Sequence, residues 1–475
     1  MGVFAHKQRG QAIVATLIIM LLSVAGLVLM YNTGQATSEK LRVVNAADAA
    51  AYSGGVWVAR QLNFMAYTNR AMIANHVSVG HFVSFASWVE NFEENAENLD
   101  DIGDILQIVP VVGTAIEAVT EIIEQVAEAY LEVTEGFGDV YVPAIDLFNR
   151  GLYASQVAAR FNLNPLTLND VMESAARGYG DGEIQVNDGG DLDVLLRQSV
   201  QGAQAAGQVL GQFSPIFNFV ERYEATEDEG RAAGLVEASL DSSEDWIRGN
   251  RGWRFCLFSG CGRIPPNLRL TKRGSTVHSV DGGNSGQTRS NGCSGGGFFG
   301  NGGNNSDGDG LNWYARDELQ FEIAAFRRFG GTRWRNTGFG STCADANATD
   351  FDSSYKGIDN YYALNNQDSE HHTLSIYAYA TLDTNATAVP VYHTFRDGVD
   401  PADAHYEVKR TQALTDNKTT ALVEAQVFHG SEEEHLFSTE DGEYSNLFNP
   451  YWHARSQYGV YDRIATVILG VNGNN

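Results

Sequence analysis

The sequence predicts an α+β protein with a single N-terminal transmembrane helix, a mostly helical domain after it, and a mixed α/β C-terminal region with a Gly-rich loop. Three patterns support this fold class. An uncharged apolar run fills 12–31, apolar residues at helical spacing follow at 38–60, and strict alternation of apolar and polar residues marks Thr373–Leu382 as a half-buried strand.

The apolar run Ala12–Tyr31 carries no charge and is about as long as a hydrocarbon core requires. His6, Lys7 and Arg9 precede it, so the positive-inside rule leaves the N-terminus in the cytoplasm. A cleaved signal peptide is the alternative, but the run is longer than a usual signal-peptide core and only weak small-residue sites follow it. The favoured prediction is a retained anchor with the rest of the chain exported.

The chain has 475 residues and a formal net charge of −27. This length favours two or three folding units, and the acidic excess argues against binding to nucleic acid or to an anionic lipid surface. Composition divides the chain into a cytoplasmic basic leader at 1–11, the transmembrane helix at 12–31, a helical extracytoplasmic domain at 32–245, a basic, Cys-containing and Gly-rich segment at 246–311, and a mixed α/β domain at 312–475.

The clearest amphipathic pattern of the helical domain lies at Thr114–Val133. Glutamates occupy the faces beside its apolar stripe, and no Lys or Arg occurs between Arg70 and Arg150. The pattern predicts a solvated acidic helix that packs on a partner helix. Further helices are predicted at Ala144–Arg160 and Leu195–Phe213. The apolar stripe consists of Ile116, Val119, Ile123, Val126 and Tyr130.

The second half gives weaker signals. Gly274–Gly310 is dominated by Gly, Asn, Ser and Asp, a composition typical of a long irregular loop. Asp317–Arg328 is predicted to be a short helix. Ala421–Phe428 and Ala465–Leu469 are predicted to be strand-like or helical pieces.

Four cysteines, Cys256, Cys261, Cys293 and Cys343, lie well after the membrane segment. An even number in an exported region predicts up to two disulfides, with three possible pairings. The spacing of Cys256 and Cys261 is loose for a zinc site, and no second Cys or His pair stands beside them.

Motifs that carry chemistry are missing from the sequence, which has no nucleophile elbow, P-loop, dinucleotide fingerprint or HExxH pair. His76 and His81 are five residues apart and so do not share a helix face. Asn305–Gly310 is similar to part of a calcium loop, but Arg316 stands where that loop needs an acidic residue. The sequence therefore predicts no catalytic residue, no metal and no cofactor.

Three adjoining N-terminal features resemble the TadE/TadG-like proteins of tight-adherence (Flp) pilus systems. Arg9-Gly10-Gln11 leads directly into the apolar helix, NAADAAAYSGG follows at Asn45–Gly55, and ARQLNFMAYTNRAMIANHVSVGH occupies Ala59–His81. Near the C-terminus, NLFNPYWHAR at Asn446–Arg455 is similar to the tail of the longer relatives. The resemblance implies a non-catalytic protein of the bacterial inner membrane that assembles, anchors or primes a pilus together with pilin or other assembly subunits.

A third alternative for the N-terminus is prepilin-type cleavage between Gly10 and Gln11, because a short basic leader ends there directly before the apolar run. Type IV pilin-like subunits usually carry glutamate at the fifth mature position, where this chain has Ala15. Two other functions stay open. The disulfide-capable, Gly-rich C-terminal half would suit a surface adhesion or binding protein, and a membrane-anchored enzyme would need a site without a recognised motif.

Overall fold

The structure is a computed structural model that describes most of the N-terminal half and the strands of the C-terminal half. The residues described are 11–106, 113–179, 183–188, 216, 218–224, 234–236, 239–240, 247, 251–256, 267–280, 311–326, 331–336, 341–358, 360–365, 373–383, 418–430 and 445–456. The predicted pieces at Leu195–Phe213 and Ala465–Leu469 lie outside these residues.

Three helices, α1 (Gln11–Leu106), α2 (Gly113–Phe161) and α3 (Pro165–Arg177), dominate the N-terminal part. Helix α1 continues from the apolar run through 38–60, and α2 includes Ala144–Arg160, so the helices predicted there are confirmed. Helix α3 begins at a proline, whose fixed φ suits the first helical position. Asn164 caps α3, because its Oδ1 accepts a hydrogen bond from the Thr167 amide at 3.0 Å.

The strands of the described residues form three sheets. They are β1 (Ile184–Val186), β2 (Val220–Glu224), β3 (Trp253–Cys256), β4 (Leu268–Val280), β5 (Leu311–Phe326), β6 (Thr332–Asn336), β7 (Thr342–Asn347), β8 (Asn360–Leu364), β9 (Thr373–Asp383), β10 (Lys418–His429) and β11 (Trp452–Ser456), and the short helix α4 (Ala348–Phe351) follows β7. One sheet has the antiparallel order β1-β9-β10-β11, a second the order β3-β4-β5-β6 with β7 also paired to β5, and the third pairs β2 with β8.

The chain divides into two compact units, and each combines segments that are far apart in sequence. Unit 1 contains residues 1–64, 159–220 and 364–475, and unit 2 contains 65–158 and 221–363. The combination of long helices with antiparallel sheets confirms the α+β class. The five predicted regions describe composition along the chain and stay a prediction.

The core of unit 1 includes one face of the β1-β9-β10-β11 sheet. The strand predicted at Thr373–Leu382 is confirmed as β9. Its predicted inner residues are all buried. Of the opposite positions, Ser375 and Tyr377 are only partly buried, whereas Tyr379 and Thr381 are buried too, so the second half of the strand is covered on both faces. The inner residues are Leu374, Ile376, Ala378, Ala380 and Leu382.

The core of unit 2 forms around the long β4–β5 hairpin. Trp313 of β5 is fully buried beside Val79 and Val83 of α1 and Val142 of α2. The short helix predicted at Asp317–Arg328 is wrong, because 317–326 belongs to β5, which pairs with β4, β6 and β7. Cross-strand partners on both sides outweigh the helix-forming Glu, Leu, Gln and Ala of this segment.

The start predicted for the Gly-rich irregular loop, Gly274, is also wrong. Residues 274–280 are the end of β4 and pair with 311–317 of β5 in regular register. The remainder, 281–310, lies outside the described residues. Pairing supplies the backbone hydrogen bonds that composition alone does not predict for 274–280.

Carboxylates of α1 and α2 lie close together within unit 2. Burial, and secondarily the nearby carboxylates with Glu94 first among them, raises the pKa of Glu90 to about 7. Burial and then repulsion from Glu97 and from Glu128 of α2 raise the pKa of Glu93 as well. The acidic helix therefore does lie beside a partner helix, but not through the predicted stripe, because Val126 and Tyr130 are exposed. The contact brings like charges together, at a cost in stability near neutral pH.

Glu90→Gln is expected to stabilise unit 2 at about pH 8 by about 1 kcal/mol, a figure that allows for partial solvent screening. The native carboxyl holds its proton up to about pH 7, whereas its ordinary pKa is 4.5. Stability therefore falls as the pH rises between these values, and the glutamine should lose its advantage near pH 4.5. Hydrogen exchange of the α1 and β7 amides at both pH values measures this. As a control, substitution of the exposed Glu132 by Gln should change the free energy of unfolding at either pH by less than about 0.5 kcal/mol. An equal gain in stability from Glu90→Gln at both pH values would contradict the prediction.

Candidate functional site: the N-terminal helix and its sheet

The first part of α1 is apolar on all sides and uncovered. Between Ile13 and Tyr31 most large side chains are exposed, for example Leu17 at 61%, Leu21 at 68% and Met30 at 75%. Of the described residues, α1 is the one helix that is long and apolar enough to cross a membrane. A helix that is apolar all round and lacks a protein partner suits a hydrocarbon environment.

Three hydroxyl groups in and just after this part of α1 are satisfied within the helix. Ser23 donates to the carbonyl of Ile19, Thr33 to that of Leu29 and Thr37 to that of Thr33, each at 2.8 Å. A hydroxyl that bonds back to the preceding turn is compatible with apolar surroundings, because its polar hydrogen has an acceptor.

Farther along, one face of α1 consists mainly of small residues. Pairs of adjacent residues, most of them Ala or Gly, recur every fourth position, so they line one face of the helix. This face is buried in unit 1. The buried residues are Ala46, Ala47, Ala50, Ala51, Gly54, Gly55, Val58, Ala59 and Leu62.

Gly54 and Gly55 let α1 approach the sheet of unit 1 closely. A Cβ at Gly55 would lie 3.1 Å from the Cβ of Ala454 on β11 and 3.6 Å from that of Ala425 on β10. A Cβ at Gly54 would lie 3.0 Å from Met172 of α3 and 3.1 Å from a side-chain carbon of β9. The shortest of these gaps are tighter than ordinary contacts, so the end of the segment 45–55 is a packing surface.

Asn63 binds the backbone of β11 as another strand would. Its Nδ2 donates to the Trp452 carbonyl, and its Oδ1 accepts from the Trp452 amide, both at 2.9 Å. The Trp452 side chain is buried, donates from Nε1 to the carbonyl of Asn446 at 3.0 Å and meets Phe219 edge-on. Asn63 and Trp452 thus join the N-terminal segment, up to residue 64, to the segment 446–455 within unit 1. Neither segment predicts this contact alone.

Asn63→Ala is expected to destabilise unit 1 by about 2 kcal/mol, because it removes the partners of the amide and carbonyl of buried Trp452. Hydrogen exchange of β11 in the full-length protein measures the loss. Gln61→Ala, two residues earlier on the same helix, should change protection by less than about 0.5 kcal/mol. If the two substitutions had equal effects, the two hydrogen bonds between Asn63 and Trp452 would contribute nothing specific to the stability of unit 1.

Unit 2 contains a buried histidine pair that the sequence did not reveal. The Nε2 atoms of His76 and His278 lie 2.9 Å apart, and His76 Nδ1 lies 2.7 Å from the Tyr355 hydroxyl. Trp313 donates from Nε1 to the His76 carbonyl at 2.8 Å. Burial, and secondarily His278, lowers the pKa of His76 well below its ordinary value, and burial lowers the pKa of His278 to about 4. Both rings are therefore neutral near pH 7, with one Nε2–H donating to the other nitrogen.

A second buried polar group of unit 2 is centred on Asp317 of β5. Arg251 approaches both carboxylate oxygens, at 3.0 Å from Nη2 to Oδ2, and Lys272 of β4 lies 2.5 Å from Oδ1. Ser87 of α1 donates to Oδ2 at 3.0 Å. The Arg251 and Asp317 side chains are fully buried, so a single carboxylate is the counter-charge of two cations away from water.

The predicted site residues are only partly described. Cys256 and Cys343 are both disulfide-bonded. Cys261 and Cys293 lie outside the described residues, so the pairing stays a prediction. Gly10 lies outside them too, and Gln11 is the first residue of α1. Among described residues no three His, Cys, Asp or Glu side chains are grouped so that they could hold a metal ion.

The features that could bear function thus concentrate in α1, where an exposed apolar helix continues into a small-residue face held by a sheet. No curated protein and no solved structure shows a significant match to this chain. Residues 10–60 match the family model described as "Putative Flp pilus-assembly TadE/G-like". They include the exposed apolar part of that helix and most of its small-residue face, and the match confirms the resemblance that the sequence predicts.

Proposed function

We propose that the protein is a non-catalytic, membrane-anchored component of Flp/Tad-type pilus biogenesis. The observation that carries this proposal is the exposed apolar helix at 13–31, which lies inside the family-matched segment 10–60 and continues directly into a folded body. In this arrangement the basic leader stays in the cytoplasm, the helix spans the inner membrane, and the chain from residue 32 onward lies outside the cytoplasm.

The role of the folded body is to present a fixed surface beside the membrane helix. One face of residues 43–62 of α1 is buried in unit 1, where it contacts β9, β10, β11 and α3, so the helix leaves the proposed membrane region already held by a sheet. A helix held in this way can keep an apolar segment available for the apolar helices of pilin or assembly subunits. The partners are therefore sought among membrane-embedded subunits of the same pilus system.

A deletion strain is expected to lose its surface fibres, and the intact gene should restore them. Complementation with the double variant Leu21→Arg/Leu22→Arg should fail, since two charges near the middle of the helix oppose insertion into the membrane. The conservative Leu21→Ile/Leu22→Ile variant should restore the fibres. Electron microscopy and fractionation of sheared cells give the readout. Fibres in the deletion strain would refute the proposal.

The same fractions test the predicted processing between Gly10 and Gln11. An N-terminal peptide that begins at Gln11 in sheared fibres would identify a processed, fibre-borne subunit. Chain confined to the inner membrane with its basic leader retained would identify an assembly factor instead. Both outcomes keep the pilus assignment but assign the protein different places in it.

A further inference from the structure

The His76–His278 pair holds the end of β4 on α1 within unit 2. His278 lies two residues before the end of β4, His76 lies on α1, and their Nε2 atoms are 2.9 Å apart. The two rings meet edge-on, and both lie against the Trp313 indole of β5, with ring centroids 5.2 Å and 4.8 Å from it. His76 is fully buried whereas His278 is partly exposed, so protons from water reach the pair through His278.

The distance between the two nitrogens accommodates one hydrogen and excludes two. Neutral rings share a single N–H···N hydrogen bond across 2.9 Å. One added proton still fits, because His76 can carry its own hydrogen on Nδ1 and donate it to the Tyr355 hydroxyl, 2.7 Å away. A second proton does not fit, since two N–H groups that point at each other across this distance would leave only about 0.9 Å between their hydrogens. The doubly protonated pair must therefore separate.

The charges around the pair do not hold a proton on it. Among the described groups, the charge that acts on His76 is that of His278, which repels a proton there. The Tyr355 hydroxyl stays protonated, because burial raises its pKa well above the ordinary value. The remaining titratable groups act on Tyr355, and the carboxylate among them on α2 already binds Arg150 at 2.7 Å. These groups are Tyr141 and Asp146 of α2 and Asp352 after α4.

The pair therefore favours contact between β4 and α1 at neutral pH and opposes it in acid. Burial, and secondarily His278, lowers the pKa of His76 well below 6.5, and burial lowers that of His278 to about 4. Once β4 separates from α1, both rings reach water and their pKa values return toward 6.5. The separated state then binds protons that the closed state does not, so its population rises as the pH falls from 6.5 toward about 4.

We propose that the His76–His278 pair is a pH-sensitive switch that holds the end of β4 on α1 at neutral pH and releases it in acid. The release is confined to 277–280, because Thr276 is fixed from two sides. Its hydroxyl lies 2.7 Å from that of Ser84 on α1 and accepts from Arg251 at 3.0 Å. The switch does not depend on the pilus assignment, although export of unit 2 would let the pH outside the cytoplasm act on it.

Hydrogen exchange of the full-length protein in detergent micelles, at about pH 7 and about pH 5 and corrected for intrinsic exchange rates, tests the switch. We expect opening of the 277–280 amides to rise roughly 20-fold through His278 alone and further through His76. The β7 amides beside Glu90 should keep or gain protection, because the raised pKa of that carboxyl favours the folded state in acid. Equal loss of protection in β7 would indicate unfolding of the whole unit and would overturn the proposal, as would unchanged exchange at 277–280.

Two variants separate the pair from buried histidines in general. His278→Gln keeps a side-chain amide that can donate to His76 but binds no proton, so the roughly 20-fold acid response of that residue should disappear. His81→Gln is the matched control, a partly buried histidine of α1 whose pKa burial also lowers. It should change the response at 277–280 by less than about threefold. A full acid response in His278→Gln, or equal loss of the response in His81→Gln, would overturn the proposal.

Titration of the wild-type histidine resonances by nuclear magnetic resonance needs no variant. His278 should bind its proton well below pH 6.5, and its resonance should change together with that of the Trp313 indole N–H, because separation of the pair uncovers both. Protonation of His278 near pH 6.5 while the Trp313 signal stays unchanged would overturn the proposal, because the closed pair would then tolerate the proton.

Discussion

Asp317→Ala is expected to lower the free energy of unfolding of unit 2 by about 3–5 kcal/mol, the usual cost of removing one member of a buried charge group. The carboxylate compensates two buried cations, Arg251 and Lys272, whose burial keeps them from recovering their hydration. Burial already lowers the pKa of Lys272, and Asp317 opposes that effect by its hydrogen bond and charge. Without Asp317, Lys272 should lose its proton more readily, but Arg251 stays charged and loses its carboxylate.

The measurement is hydrogen exchange of β4 and β5 amides in the full-length protein, because a chain with two units need not unfold in one step. Glu318→Ala is the matched control. It is the next residue of β5, and its contacts to Arg273 at 3.9 Å and Arg316 at 3.4 Å lie near the surface. We expect a change of less than about 1 kcal/mol there. A similar loss of stability from both variants would contradict the prediction, because the buried carboxylate of Asp317 would then contribute no more than the partly exposed carboxylate of Glu318.

Gly80→Val is expected to have the second large effect, a loss of about 3 kcal/mol or more in unit 2. A Cβ at this position of α1 would lie 2.6, 2.7 and 2.9 Å from three atoms of the Trp313 indole. Trp313 cannot retreat easily, because it is fully buried and its Nε1 is bonded to the His76 carbonyl on the same helix. The added side chain must therefore push α1 away from β5 and open the core.

Trp fluorescence together with hydrogen exchange of β5 should report this opening. Gly151→Ala on α2 is the control, since a Cβ there meets no described atom within 4 Å. That substitution should stabilise the helix by about 0.5–1 kcal/mol. Native-like protection of β5 in Gly80→Val would contradict the close packing of Trp313 on α1.

The helices and strands that follow a local periodicity could be predicted from the sequence. The apolar helix, the continuation of α1 through 38–60 and the strand β9 follow from spacings that extend over only a few turns or residues. Asp317–Arg328 failed as a helix because its helix-forming residues are overruled by pairing with three other strands. The N-terminal resemblance was found because its features are contiguous.

The buried groups were beyond prediction because their members are scattered along the chain. His76 and His278 are 202 residues apart, and Ser87 and Asp317 are 230 apart. Each is an ordinary polar residue in its own segment, and nothing local indicates burial or a partner. The stripe of α2 was visible in part from the sequence, but its exposure could be seen only in the structure.

The hydrogen bonds between Asn63 and Trp452 join residues 389 positions apart. Nearly the whole chain must therefore be synthesised before the small-residue face of α1 can be covered. At about 5–20 residues per second, this face waits for about 20–80 s after Asn63 is made. A chain with such a delay is expected to need protection of its newly made helix, so loss of a chaperone should reduce its yield before it alters the finished protein.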